Sequence, residues 1–397
     1  MKTRSGHLTR LLLALAVVSC AESDPGSFVA RDSLGVTIAE NLLSSDTEVP
    51  RWRVSSAPTL DIGLVEGDDA YQLFRVVGAV LLDDGHVVVA NAGTSELRFF
   101  DNRGMHLRSV GSRGSGPGEF EGMWSVARYR GDSLAVYDRR LARISIFDRQ
   151  GNFARLVRLR SDYPTSVLGL LANGDILAAI ESAGEESPGG VRRSLADFTR
   201  FSPDGEPVRP LGRFFQGEMF FMARGGVTGA SQLAFGKQGL AAAYGDRFFY
   251  GSTERYEITM YDATGMPLLV VRRALEPEPV TASDMQAYKD MVTANRRDRS
   301  RLQGLLDLID AMPVPETMPV FEALMVDREG RLWVQEYQRP GEDAPPRWVV
   351  FDQGGRMVGI VDPPAGLRIY EVGADYILGR SRDAWDAEHV VVYGLSE

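Results

Sequence analysis

A short Asp- and Gly-bearing turn between two apolar runs recurs along this chain, and that recurrence limits its fold more than any other feature. It appears as Phe100-Asp101-Asn102-Arg103-Gly104, Phe147-Asp148-Arg149-Gln150-Gly151 and Phe201-Ser202-Pro203-Asp204-Gly205, then as Tyr261-Asp262-Ala263-Thr264-Gly265 and Phe351-Asp352-Gln353-Gly354-Gly355. The closing glycines lie 47, 54, 60 and 90 residues apart. A period of ~40–50 residues with about four strands in each is the sequence signature of β-propeller blades. The expected fold class is all-β, a six-bladed β-propeller.

The block 73–110 shows the unit, with strands expected at 73–82, 86–90, 96–100 and 105–110. A second blade follows at 124–159. A third uses 167–171, 176–180, 198–201 and 208–211 around a long loop. A fourth is expected at 232–235, 240–244, 256–261 and 267–272, and a fifth at 321–361. The last has only three strands, at 367–372, 376–380 and 389–393, before the chain ends. Strand-like segments at 35–39, 51–55 and 59–62 are available to complete it. Joining the N- and C-terminal strands in one blade closes the ring and hides strand edges that would invite aggregation. The 90-residue gap is explained by a helical insertion at about 274–319. There Thr281 and Asp284 suggest an N-terminal cap, and Met285, Tyr288 and Val292, then Leu302, Leu305, Leu306 and Ile309, suggest two amphipathic helices.

The first residues read as a targeting segment. Lys2, Arg4 and Arg10 precede an apolar run over 11–18, too short to span a bilayer. The run ends Val17-Val18-Ser19-Cys20, which resembles the lipobox of bacterial lipoproteins. That resemblance implies a signal peptide over 1–19, acylation of Cys20, a tether over 20–27 and the propeller over 28–397. Cys20 is the single cysteine, so no intramolecular disulfide forms. Ala21 after it, in place of an aspartate, points to the outer membrane within the cell envelope. Loss of 1–19 leaves 41 basic against 54 acidic residues, a net charge of −13. Such a chain is poorly suited to phosphate backbones, so nucleic acid is not an expected partner.

In a four-stranded blade, the loop between strands two and three and the loop to the next blade leave one face. The other two turns leave the opposite face. The first set is long here: 181–195, 245–255, 338–346, 381–388 and the insertion, which leaves the outer strand of the fourth blade and is expected to cap that face. Binding residues concentrate on long loops held by a rigid scaffold. The candidates at the channel mouth are Arg75, Trp124, Glu322, Arg368 and Tyr370 entering innermost strands, and Asn91, Asp138, Asp246, Tyr337 and Arg380 leaving second strands. As a ring, this mixed arginine, aromatic and carboxylate lining suits a polar or acidic ligand better than a greasy one.

Gly111-Ser112-Arg113-Gly114-Ser115-Gly116-Pro117-Gly118-Glu119-Phe120 looks like a phosphate-cradling loop, but a strand follows it where such loops need a helix. Gly131-Asp132-Ser133-Leu134 spells an esterase signature inside a tight turn with no histidine base nearby. The remaining histidines fall in separate blades, so no zinc-type site and no resident cofactor is expected. A calcium site of carboxylates and carbonyls in the channel stays open.

The Gly-x-Gly-Pro-Gly-Glu-Phe loop, followed by strand, Asp/Gly turn, strand and Phe-Asp-x-x-Gly, resembles NHL-repeat and related bacterial six-bladed propeller lipoproteins. The likeness covers roughly residues 28–397 and is strongest over 63–151. It implies either a binding or scaffold module or, as the alternative, a calcium-dependent lactonase or other hydrolase centred in the channel. The histidine set of the amidating lyases of this fold is absent, and the lactonase carboxylates find no residue-by-residue match. The first expectation is therefore a membrane-anchored module that binds a polar ligand or a protein partner.

Overall fold

The computed structural model describes residues 27–42, 49–186, 190–224, 227–294 and 299–397. The signal segment, Cys20 and nearly all of the tether lie outside these residues. Six antiparallel meanders follow one another. Blade I comprises Val76–Leu81, Val87–Asn91, Glu96–Phe100 and His106–Val110, and blade II comprises Met123–Tyr129, Ser133–Asp138, Arg143–Phe147 and Phe153–Val157. Blade III has Thr165–Leu170, Ile176–Glu186, Val191–Phe201 and Pro207–Arg224, and blade IV has Gly239–Tyr244, Arg247–Ser252, Glu257–Asp262 and Pro267–Arg273. Blade V has Phe321–Val326, Leu332–Glu336, Trp348–Phe351 and Met357–Val361. Blade VI has Arg368–Val372, Tyr376–Arg382 and Glu388–Ser396, with Leu60–Ile62 as its outermost strand.

The recurring aspartate explains the recurring turn. Asp101 Oδ1 accepts the backbone N–H groups of Arg103 and Met105 at 2.9 and 2.8 Å. Asp148, Asp262 and Asp352 repeat this with the residues two and four positions on. These bonds hold the Asp101 carboxyl below its ordinary pKa, the Met105 amide contributing most. The closing glycine takes the left-handed conformation, φ +80° at Gly104, which a side chain would strain. A five-residue motif thus makes a complete turn between the third and fourth strands.

What holds the blades together is apolar packing between their faces. Val80, Val88, Leu97, Leu134 and Phe147 join blades I and II. Ile144, Ile146, Ile176 and Phe201 join II and III, while Leu177, Phe198, Phe214 and Phe248 join III and IV. Ile258, Val271, Phe321 and Val349 join IV and V, and Trp333, Trp348, Leu367 and Ile377 join V and VI. Ile62, Val76, Val87 and Val390 close VI onto I. Each boundary therefore has its own dry cluster, and burial of this kind contributes ~25 cal/mol per Å² of apolar surface.

The N-terminal arm runs round the outside of half the ring. Val36–Asn41 adds in parallel to the outer strand of blade IV, and Phe28–Ser33 pairs with it in turn. Arg51–Val54 bridges blades V and VI, pairing Val361 with Trp52 and Leu395 with Val54. Leu60–Ile62 then pairs with Val390–Val392, the closure expected from the sequence.

Blades III and IV differ from the expectation. The expected loop over 181–195 is strand: the second and third strands of blade III run on past the ring, pairing Glu181 with Ala196 and Glu186 with Arg192. The outer strand also continues and folds back through Val227–Gln232, forming a β-extension. Segment 232–235 ends that extension and does not open blade IV. Gly239–Tyr244 does, and the expected loop at 245–255 contains its second strand, Arg247–Ser252. An innermost strand reading Gly-Leu-Ala-Ala-Ala-Tyr lacks the bulky alternation that marks strands in sequence, so its register was hidden. Its small side chains are required where strands crowd the axis. A Cβ on Gly169 would lie 2.5 Å from that of Ala243.

Truncating the closing strand tests this construction. Ile62→Ala, at a position 1% exposed, is expected to cost about 2–4 kcal/mol in urea unfolding. Leu34→Ala, fully exposed on the outer hairpin, should change stability by less than about 0.5 kcal/mol.

Candidate functional site

The two ends of the ring differ in how their polar groups are used. At the short-turn end, the central channel holds a cavity of about 610 Å³, lined by innermost strands of all six blades. Its wall is largely small or aliphatic, including Ala79, Ala127, Gly169 and Ala241. The mouth is occupied by an ion-pair network. Arg128 bonds Asp132 at 2.9 Å, Asp83 at 3.2 Å and Glu371 at 3.4 Å. Arg328 bonds Asp83 at 2.7 Å, and Tyr376 donates to Glu371 at 2.5 Å. These partners come from blades I, II, V and VI, so the network ties the ring together and gives each of its three carboxylates an arginine partner.

The loop-rich end carries the insertion and the β-extension. Helix α1, Ala282–Thr293, starts at a capping box in which Thr281 accepts from the Asp284 N–H and Asp284 accepts from the Thr281 N–H. The second helix, α2, is Arg299–Ala311. Leu308, Met312 and Met318 pack with Val191, Phe220, Leu233 and Phe235 of the extension, and Tyr288 lies 5.5 Å from the Phe235 ring. The insertion thus braces the β-extension. Arg339, from the loop between the second and third strands of blade V, grips both carboxylate oxygens of Asp284 at 2.8 Å and Glu278 at 2.5 Å. Nη1 reaches both Asp284 oxygens while Nε and Nη2 share one oxygen of Glu278, so the guanidinium is held from two sides. Beneath it, buried Lys237 donates to the Thr317 carbonyl at 2.6 Å. Desolvation lowers its pKa to about 8 against the pull of Glu218 and Glu254.

Between the β-extension and the neighbouring blades lies an open groove of about 600 Å³. Its apolar lining includes Leu195, Met219 and Phe221, while Ala179 and Ala196 are almost fully buried in the core between blades III and IV. Its polar lining is amide and hydroxyl: Ser166, Ser182, Ser194, Gln216, Gln232 and Gln238. Among the described residues, the side chains of Ser166, Ser194, Gln232 and Gln238 have no hydrogen-bond partner. Ser182 Oγ is buried and also without one. Three of the four charged residues around them, Arg139, Arg192 and Glu218, are engaged elsewhere, and Glu181 stands exposed. Arg139 stacks on Trp124 at 4.9 Å and Arg192 on Phe221 at 4.6 Å. Glu218 accepts from Arg193 and from the Lys237 N–H.

The ten sequence candidates divide by position. Arg75, Trp124, Glu322 and Arg368 stand exposed at the loop-rich ends of the innermost strands of blades I, II, V and VI. Crowding raises the Glu322 carboxyl above its ordinary pKa, and Gln335 donates to it. Tyr337 lies by the insertion, where burial and then Glu322 push its pKa up to about 12. Asn91 and Asp138 are buried and hold the backbone instead: Asn91 accepts from the Phe74 N–H, and Asp138 from Glu121 and Gly122. Thr253 does the same for Gln238 in blade IV. Tyr370 donates to the Val76 carbonyl, and Arg380 pairs at 2.7 Å with buried Glu388, which also accepts the Val76 N–H. Asp246 lies in the turn between the first two strands of blade IV, at the short-turn face, because that blade begins seven residues later than expected.

Sequence reading missed the groove, since its walls were taken for a loop. It also missed the buried arginines. Arg143 grips the carbonyls of Ser115, Gly116 and Glu119, which accounts for the phosphate-like glycine loop as a clamped crossing between blades. Arg98 grips Asp69, Ala70 and Gln72 in the same way one blade earlier. Both lie in third strands but at different registers, Arg98 two residues before Phe100 and Arg143 four before Phe147, so no shared spacing marked them. Among the described residues no group of three or more His, Cys, Asp or Glu converges where it could hold a metal ion.

No family model matches the chain, and no curated protein does. Solved structures do. A candidate exported protein of Bacteroides fragilis aligns over 91% of this chain and all of its own, with a TM-score of 0.52 at 15% identity. A gluconolactonase from Xanthomonas campestris aligns over 82% of this chain and 88% of its own, with a TM-score of 0.42 at 13% identity. At such identities the likeness concerns the fold alone.

Two outcomes follow from the geometry around the insertion. Arg339→Ala should raise amide hydrogen exchange in Ala282–Thr293 by about tenfold, the loss of ~1–2 kcal/mol of local stability, while blade II stays protected. Lys237 holds its proton less tightly folded than unfolded, so between about pH 8 and ~10.4 the unfolded chain binds more protons and stability rises with pH. Lys237→Met should abolish that rise, read as the difference in urea midpoint between the two proteins at pH 7, 8.5 and 10.

Proposed function

We propose that this protein is a ligand-binding module of the cell envelope, anchored through an acylated Cys20 and working through its loop-rich face. The observation that carries this reading is the contrast between the two ends. The groove offers hydroxyl and amide groups with unspent hydrogen-bonding capacity beside the apolar side chains of Leu195, Met219 and Phe221, the usual make-up of a small-molecule site. The opposite mouth consumes its polar groups in its own ion pairs. Asp83, Asp132 and Glu371 are held by Arg128 and Arg328, an arrangement that favours bracing the ring over calcium-dependent hydrolysis in the channel. The anchor rests on the apolar run over 11–18 and the cysteine that ends it. Two acyl chains suffice for stable attachment, and Ala21 favours the outer membrane. The acidic surface leaves nucleic acid out of the reading.

A thermal-shift screen of uncharged polar compounds tests the site. Ligands that raise the Tm of the wild type should lose that effect in Gln216→Ala/Gln238→Ala and keep it in Asp83→Asn. The reverse pattern would move the site to the channel. For the anchor, the mature N-terminus should carry lipid by mass spectrometry, and Cys20→Ser should shift the protein out of the membrane fraction. An unmodified, uncleaved Cys20 would reject it.

A further inference from the structure

We propose that the groove beside the β-extension of blade III is a binding site for a neutral oligosaccharide. The inference rests on the binding reading given above and specifies the class of ligand.

Charge is the first constraint. Two arginines and two glutamates line the groove, so their formal charges cancel. Both arginines lie over aromatic rings and Glu218 is already paired, so no free cation is aimed at an anionic ligand. Recognition of phosphate or carboxylate would need such a cation, most often an arginine with its fork open.

Backbone pairing is the second constraint. Ala179, Leu195 and Ala196 lie on strand stretches paired on both sides. Ser182 faces Leu195 and Ser194 faces Gly217, each beside a register shift, while Ser166, Ser182 and Gln232 have a strand neighbour on one side only. A peptide that binds by adding a strand needs a free sheet edge, which the groove has at its rim and not between Ala179 and Ala196. Recognition here falls to side chains.

The third constraint is the character of those side chains. A glutamine amide presents a donor and an acceptor side by side, and a serine hydroxyl serves as either. Gln232, Gln238, Ser166 and Ser194 have these functions unspent, and Ser182 adds a buried hydroxyl without a partner. Adjacent hydroxyls on a sugar ring offer the matching donor and acceptor pairs around their rim. The ring's C–H faces are apolar, and they suit the partly exposed Leu195, Met219 and Phe221. A volume of about 600 Å³ is ample for more than one ring.

Isothermal titration of the mature chain with maltotriose, cellotriose and chitotriose tests the class, with trigalacturonate as the charged counterpart. At least one neutral trisaccharide should bind saturably at one site, and trigalacturonate should bind more weakly. Gln232→Ala/Gln238→Ala removes two hydrogen-bonding groups and should weaken binding about tenfold or more. Gln232 is exposed and neither side chain has a partner to lose, so the Tm of the variant should match the wild type. Silence from all three neutral sugars, tighter binding of trigalacturonate, or undiminished binding by the double variant would overturn the proposal. N-acetyl-trialanine amide, run in parallel, separates the two readings. If it alone binds, and the variant abolishes this, the groove stands as a binding site and the sugar class falls. If no probe binds and the thermal-shift screen finds no Gln238-dependent ligand, both fall together.

Discussion

The ring depends on three residues. Leu60, Asp61 and Ile62 supply the outer strand of blade VI, and without them the C-terminal Glu388–Ser396 would present an open edge. An unpaired edge is a template for misassembly. The N-terminal arm has already lain along blades IV and V before it reaches this point, so closure is reinforced over half the circumference. At the other boundaries apolar packing carries most of the contact, with Arg51–Val54 adding backbone pairing between blades V and VI. The buried Glu388 completes the join in polar terms, accepting from Arg380, Arg382 and the Val76 N–H across the closing boundary.

A rigid ring makes an asymmetric pair of faces possible. Short turns held by aspartate carboxylates need no further support, so their side chains are free to pair across the channel mouth. The long connections need bracing, and each finds it differently. Arg98 and Arg143 hold crossings between blades by their carbonyls, Arg339 holds the insertion by two carboxylates, and the insertion holds the β-extension by an apolar cluster. The groove sits at the end of that chain of supports, with walls fixed by sheet pairing.

How much of this the sequence disclosed follows from the physics of each element. Turns in which one aspartate satisfies two backbone amides require fixed spacing and a glycine, so Asp101–Gly104 and its repeats were plain. Closure through Leu60–Ile62 was plain because that strand stays in phase with the repeat. The capping box at Thr281 and Asp284 was equally local. Blade IV was misread because strands near the axis need small residues, and Gly239–Tyr244 carries none of the branched alternation that marks strands elsewhere. The β-extension was misread as a loop because exposed strands outside the ring have no buried face to impose a period. Of the candidate site residues, Asn91 and Asp138 proved architectural. Polar residues at equivalent strand ends perform the same backbone capping whether or not a ligand is near, and sequence alone does not separate the two uses.

The direction of the first strand has a consequence for where the chain enters the ring. Phe28 pairs with Asn41, which in turn lies beside Arg273, where the outer strand of blade IV reaches the loop-rich end. The polypeptide therefore arrives at the same pole from which the insertion rises and on which the groove opens. The groove and the incoming first strand thus share one pole, and the short turns lie at the other.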